Sequence, residues 1–243
     1  MSISSMPTEM LILAGGMGTR LRSVVNNVPK PMAPVMGKPF LELLVEYWRG
    51  QGIRRIVFLI GYMGEAIRAH FGDQYGDIKI EYVKEESLLG TGGAVRNALK
   101  IKQWNQDEVV LINGDTWYEV SLLQLMIDAN LGGRAITMSL KPLVLNDRYG
   151  SVTTSPLDGI VTQLGDTPKK GGLINAGCYL LRVAATMREM SSFPDNFSLE
   201  LDFLKSLVLK GEVSSSIQNA RFLDIGVPDD YQKAEQFIGG FDD

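Results

Sequence analysis

MLILAGGMGTRLRSVVNNVPKPMAP, residues 10–34, joins an apolar run to a glycine-rich turn, an arginine, and a lysine between two prolines. Leu11, Ile12 and Leu13 read as a buried strand that enters Ala14-Gly15-Gly16-Met17-Gly18-Thr19 directly. Glycines let backbone N–H groups approach an anion closely, because no Cβ stands in the way. A short helix after the turn would add its positive N-terminal end. Arg20 offers a planar fork of donors to phosphate oxygens, and Lys30 follows ten positions later as a point charge. Pro29 and Pro31 predict an extended backbone at Lys30 and a smaller entropy loss on ordering it. The stretch reads as a polyphosphate cradle at the end of a strand, which points to an α/β chain.

Two common phosphate motifs are excluded. The dinucleotide fingerprint fails because Gly16-Met17-Gly18 is followed by Thr19, Arg20 and Leu21. A P-loop fails because the only Gly-Lys pair, Gly37-Lys38, precedes Pro39.

Composition narrows the chemistry further. The 243 residues are 45% apolar, enough for one sizeable core and too few for two comfortable domains. A net charge of −4 argues against nucleic acid or an anionic membrane as partner. No run approaches the length of a membrane span, and MSISSMPTE has no signal-peptide pattern. Together with the single cysteine, Cys178, which reads as a packing residue, these features predict a cytoplasmic protein. With His70 as the only histidine, expected near the surface, His/Cys zinc sites are excluded. Serine or cysteine nucleophilic catalysis would have to rest on that one imidazole. Carboxylates, lysines, arginines and glycines remain, the residues of phosphoryl or nucleotidyl transfer.

Strand-like runs at 9–13, 55–60, 78–82 and 108–112 alternate with helical patterns at 40–51, 64–70 and 92–101. That alternation predicts a mostly parallel sheet with helices on both faces. A helix at 121–130 and a strand at 134–140 follow, then strands at 150–153, 160–164 and 174–181. The turn signals Pro156-Leu157-Asp158-Gly159 and Lys170-Gly171-Gly172 make these a small antiparallel insertion beside the sheet. Helices at 198–210 and 228–238 close a chain that reads as one domain over 1–243. Trp48 and Trp104 read as core, and Trp117 as core or cleft lining.

Ligands in open α/β sheets bind at strand carboxyl ends, which draws attention to Asn113-Gly114-Asp115 and Asp224-Ile225-Gly226. Each aspartate beside a glycine suits either a turn or a Mg²⁺ ion held by one or two carboxylates and substrate phosphates. Glu85 and Glu86 precede a second glycine-rich junction, Leu89-Gly90-Thr91-Gly92-Gly93. A carboxylate can accept side by side from guanine N1–H and N2–H, whereas uracil and thymine suit an amide better.

GGMGTRL followed by PKPM resembles the signature of sugar-1-phosphate nucleotidyltransferases, also called nucleotide-sugar pyrophosphorylases. The similarity continues through LLGTGGA (88–94), INGDTW (112–117), YG (149–150), LINAGCYLL (173–181), FSLELDF (197–203) and FLDIGVPDDY (222–231). Within that family, GTGGA after paired glutamates looks most like guanylyltransferases acting on D-glycero-α-D-manno-heptose 1-phosphate. The resemblance implies a three-layer, Rossmann-like nucleotidyltransferase fold, with a nucleotide-binding part near 1–120 and a sugar-binding part near 121–227. It implies Mg²⁺ at Asp115 and Asp224, with Arg20 and Lys30 as the catalytic cations. Leu13, Ala14, Gly15, Gly16, Gly18, Thr19, Glu85, Gly90 and Thr91 would bind the nucleotide, GTP being favoured. Tyr149, Gly150, Asn175 and Glu200 would face the sugar 1-phosphate. One departure stands out, since relatives that carry Glu-Lys-Pro for the sugar phosphate are matched here by Asp166-Thr167-Pro168, so that either Lys169 or Lys170 reaches back, with Lys169 the named candidate, or the phosphate is held otherwise. The expected product would serve a surface glycan. UTP, dTTP or CTP with another sugar 1-phosphate stays open, as do a non-catalytic nucleotide-sugar-binding module and a homodimer.

Overall fold

The computed structural model describes residues 6–16, 18, 21, 25, 27–85, 87–144, 148–165, 167 and 171–240. Strand β1 (Glu9–Leu13) leads, after the glycine-rich turn, to a small hairpin of β2 (Pro34–Val35) and β3 (Lys38–Pro39). Helix α1 (Phe40–Gly50), β4 (Arg55–Ile60), α2 (Gly64–Phe71), β5 (Gln74–Tyr75) and β6 (Ile78–Lys84) follow. Next come α3 (Gly90–Ile101), β7 (Glu108–Asn113), β8 (Thr116–Tyr118), α4 (Leu122–Gly132) and β9 (Ile136–Leu143). Strands β10 (Ser151–Thr154), β11 (Val161–Leu164) and β12 (Gly172–Arg182) precede α5 (Val183–Met190). A π-helical stretch, Leu199–Leu204, runs into α6 (Lys205–Leu209), and β13 (Val213–Ile217), β14 (Phe222–Asp224) and α7 (Pro228–Gly239) complete the chain.

The centre of a ten-stranded sheet is parallel, in the order β6-β4-β1-β7. β12 runs antiparallel to β7, with Cys178 opposite Ile112, so the antiparallel strands extend the main sheet instead of standing beside it. β9, β10, β11 and β13 pair outward from there. Alternation of side chains along β1 and β4 sends Met10, Ile12, Ile56 and Phe58 to one face, against α1, α2, α4 and α7. Leu11, Val57 and Leu59 go to the other face, against α3, the π stretch and α6. These are the three layers that the sequence pattern predicts.

Two short helices show how local chemistry sets boundaries. The Ser121 hydroxyl accepts from Gln124 N at 3.3 Å, and Gly133 ends α4 in the left-handed region, φ 65°. α3 begins at Gly90, two residues before the predicted start, so the Gly-Thr-Gly-Gly run is its first turn. Trp48, 1% exposed, and Trp117, 8% exposed, both belong to the core, the latter against Tyr47. Cys178 is buried, and desolvation pushes its thiol up to about 12. His70 is exposed and contacts Glu42 Oε2 at 2.8 Å. Among the described residues, no helix is long and apolar enough to cross a membrane.

Candidate active site

The chain goes from β1 to β4 and β6 on one side, then returns to place β7 on the other side of β1. This reversal opens a crevice at the strand ends. There Leu13 lies opposite Asn113, Ala14 N donates to Leu59 O at 2.9 Å, and Gly114 N donates to Leu13 O at 2.9 Å. A Cβ on Gly15 would lie 3.1 Å from Gly61 N, whereas one on Gly16 would meet nothing within 4 Å. Gly15 is therefore packed and Gly16 faces open space. Gly18 has φ +58°, and its Cβ would stand 2.8 Å from Lys30 Cβ, so the two halves of residues 10–34 touch. Thr19, Arg20 and most of the predicted helix after the loop lie outside the described residues, as do Glu86 and Lys169.

Lys30 is not extended. It opens a single 3₁₀ turn, Lys30–Met32, in which Met32 N donates to Pro29 O at 2.8 Å and Ala33 N to Lys30 O at 3.1 Å. Pro31 fits because its missing N–H would have no partner in a first turn. Two backbone hydrogen bonds outweigh the extended preference of a residue before proline.

The carboxylates are brought together by a feature absent from the sequence reading. β8 and β14 form an antiparallel ribbon in which Asp224 faces Thr116, and Ile225 N donates to Asp115 O at 3.1 Å. Asp115 and Asp224, 109 positions apart by number (224 less 115), thereby converge on one ammonium. Lys30 Nζ donates to Asp115 Oδ2 and lies 3.7 Å from Asp224 Oδ1. Arg148 binds Asp224 Oδ2 at 2.7 Å and also bonds Asp230. Desolvation and the neighbouring Asp115 charge raise the Asp224 carboxyl above its ordinary range, against the opposing pull of Lys30 and Arg148.

Two cavities meet at this cluster. One, about 670 Å³, is lined by Leu13, Ala14, Gly15, Gly16, Gly18, Leu59, Glu85, Leu88, Gly90 and Thr91 among others. The other, about 390 Å³, is lined by Tyr149, Gly150, Asn175, Gly177, Lys205, Phe222 and Asp224 among others. Lys30, Asn113, Asp115, Glu200 and Leu201 line both. All the described site residues expected from the sequence therefore border one continuous crevice.

In the larger cavity, burial raises the Glu85 carboxyl, with a smaller opposing hydrogen bond from the Leu89 backbone. The first turn of α3 is pressed against residues 195–199. A Cβ on Gly92 would stand 2.3 Å from Phe197 Cε2, and one on Gly93 would stand 2.3 Å from Asp195 O. Thr91 Oγ1 accepts from Leu199 N at 2.9 Å. The glycines of this motif thus serve close packing as well as an open wall.

In the smaller cavity, a register shift in β12 between Asn175 and Tyr179 turns the strand at Gly177, φ +69°. Asn175 Oδ1 accepts from Gly177 N at 3.0 Å, while its Nδ2 donates to Tyr179 Oη at 2.7 Å and to Glu200 Oε1 at 3.5 Å. The Tyr179 hydroxyl also donates to Glu200 at 3.4 Å. Loss of solvent in the cleft raises the Glu200 carboxyl, with Asp115 and Asp224 adding to it. Tyr149 packs edge-on to Phe222 at 5.5 Å, and burial raises its hydroxyl.

Arg148, Tyr179, Asp230 and Lys205 were missed in the sequence. Arg148 precedes the Tyr149-Gly150 motif and Asp230 lies within FLDIGVPDDY (222–231), so position beside or inside a motif was the available signal.

The Nucleotidyl transferase family matches residues 9–239. A D-glycero-alpha-D-manno-heptose 1-phosphate guanylyltransferase of Aneurinibacillus thermoaerophilus is 40% identical over 229 residues, covering 94% of this chain and 97% of that protein. One from Campylobacter jejuni is 38% identical, covering 92% of this chain and 96% of that protein. The crystal structure of HddC from Yersinia pseudotuberculosis complexed with GMP-PN superposes with a TM-score of 0.82 at 35% identity. It covers 94% of this chain and 98% of that one.

Proposed function

The chain belongs to the nucleotidyl transferase family, and we propose on that footing that it makes GDP-heptose from GTP and D-glycero-α-D-manno-heptose 1-phosphate. Two cavities that share Lys30, Asn113, Asp115 and Glu200 are the observation that carries this reading. Two anionic substrates can meet there from opposite sides. Relatives named as guanylyltransferases of this heptose phosphate support the choice of both.

In the reaction, an oxygen of the sugar phosphate attacks the α-phosphorus of GTP. A new P–O bond forms, the α–β bridging bond breaks, and its electron pair leaves with pyrophosphate. No protein nucleophile is required, so positioning and charge carry the rate. Lys30, between the cavities, would stabilise charge gathering on the α-phosphoryl oxygens. The backbone of Leu13 to Gly16 and Gly18 would cradle the phosphates, and Arg20, two positions further along the sequence, would hold the departing β,γ-phosphates.

Asp115 and Asp224 fit a magnesium ion, since both already converge on a single cationic group. Among the described residues no cluster of three or more His, Cys, Asp or Glu could enclose a metal, which suits an ion that keeps phosphate and water ligands. Bound there, it would supply charge neutralisation of the phosphates.

Glu85 would accept from guanine N1–H and N2–H, beside Gly90 and Thr91. Tyr149, Gly150, Asn175 and Glu200 would bind the heptose, and Lys169 its phosphate. Substrates of this kind suit a cytoplasmic site. The test is pyrophosphate release measured across four nucleoside triphosphates and a panel of sugar 1-phosphates. The highest kcat/KM is expected for GTP with the heptose phosphate, and EDTA should abolish release. Preference for UTP or dTTP, or no release with any pair, would contradict the proposal.

A further inference from the structure

We infer that Arg148, braced by Asp230, fixes Asp224 for a divalent cation, and that Lys30 is the exchangeable partner that the cation displaces. The inference rests on the proposed reaction only in taking Asp115 and Asp224 as the cation-holding pair.

The two cations stand on different sides of Asp224. Arg148 Nη2 holds Oδ2 at 2.7 Å, while Oδ1 receives Gly226 N at 2.7 Å and has Lys30 Nζ at 3.7 Å. A Cβ on Gly226 would lie 3.0 Å from both Arg148 Nη2 and Lys30 Nζ, so glycine there lets both charged heads close on one carboxylate. The other arm of the Arg148 fork bonds Asp230, and its guanidinium lies over the Tyr149 ring at 5.0 Å. Asp230 belongs to the first turn of α7, whose positive end favours a carboxylate. Among the described residues Arg148 is thus engaged by Asp224, Asp230 and the Tyr149 ring, whereas Lys30 lines both cavities.

Such a planar fork is suited to a fixed bridge between two carboxylates, and a single ammonium on a flexible stem is suited to exchange. With Oδ2 engaged by Arg148, Oδ1 is the oxygen that meets an incoming cation, and the Lys30 ammonium leaves it for the phosphates. Arg148 is therefore a positioning residue, acting through Asp224.

The decisive variant is Arg148→Lys, which keeps the charge and loses the bridge. Free Mn²⁺ is measured by electron paramagnetic resonance on the purified full chain, with and without GTP. Arg148→Lys should raise the Mn²⁺ dissociation constant about ten- to a hundredfold, the usual effect of losing a group that orients a metal ligand. Asp230→Asn, which removes the charge at the far end of the brace and keeps the side chain's shape, should weaken binding in the same direction with an unchanged Tm. Lys30→Met should do the reverse without GTP and bind Mn²⁺ more tightly than wild type. Wild-type affinity in Arg148→Lys, weaker binding in Lys30→Met, or a wild-type chain that leaves all Mn²⁺ free would each overturn the inference. Because Mn²⁺ is read directly, a wrong choice of nucleotide or sugar leaves these results intact and shows only in the pyrophosphate assay.

Discussion

The two cavities flanking Lys30 are built from different materials. The larger one is walled largely by the glycine loop after β1, the first turn of α3 and flanking leucines, with Glu85 as the charged side chain that it does not share with the smaller cavity. The smaller one is walled by polar side chains from several elements, including Asn175 in the β12 irregularity, Glu200 in the π stretch and Tyr149 before β10. Backbone walls hold any group of the right shape and leave selection to one residue. Side-chain walls share selection among several, each oriented by another, as Asn175, Tyr179 and Glu200 are.

Breaking the common point should affect both sides at once. Lys30→Ala is expected to lower kcat by roughly a hundredfold, the scale of losing one charge-stabilising group, with a modest change in the KM for GTP. Near-normal turnover would remove Lys30 from the mechanism.

A matched pair then separates the cavities. Glu85→Gln should reduce the GTP-over-UTP ratio of kcat/KM about tenfold or more, as expected from losing hydrogen bonds to a charged group, and leave the KM for the sugar phosphate unchanged. Glu200→Gln should do the opposite, raising the KM for the sugar phosphate about tenfold with nucleotide preference intact. Two variants that shift the same parameter would show that the cavities are not divided in this way.

A smaller effect concerns pH. Burial holds the Glu85 carboxyl above its ordinary range, so on acidification it takes up a proton while an exposed glutamate is still ionised. The KM for GTP should rise as pH falls through that raised value, and Glu85→Gln should give a flat profile there. The linked stability has the opposite sense. Glu85 and Glu200 both bind protons more readily folded than unfolded, so their contribution to stability falls as pH rises from the unfolded to the folded value.

The least kinetic effect is expected at a packing glycine. Gly92→Ala would drive a methyl into Phe197 and should cost about 1–3 kcal/mol of stability. A thermal melt would record this as a lower Tm, with kcat per folded molecule unchanged. An unchanged Tm would mean that α3 and residues 195–199 are not pressed together as described.

The same contrast explains what could be read from the sequence. β1, β4 and β7 were legible because each is an unbroken apolar run buried on both faces. The glycine loops were legible because backbone recognition needs particular residues in consecutive positions. β8 and β14, three residues each, carry too little periodicity to stand out, yet they bring Asp115 and Asp224 together. α5 and β13 were also missed, and the predicted helix at 198–210 begins as a π stretch, with Phe203 N bonded to Ser198 O at 3.1 Å. Arg148 belongs to no motif, and Asp230 lies inside FLDIGVPDDY with nothing there to mark its role, because their partners are reached only through the fold.

The most direct test of the account is a crystal structure of the chain with GDP-D-glycero-α-D-manno-heptose and magnesium. The guanine should lie beside Glu85, the heptose against Asn175 and Glu200, and the diphosphate between Lys30, Asp115 and Asp224. Guanine in the cavity of Tyr149 and Asn175, or a diphosphate remote from the two aspartates, would contradict it.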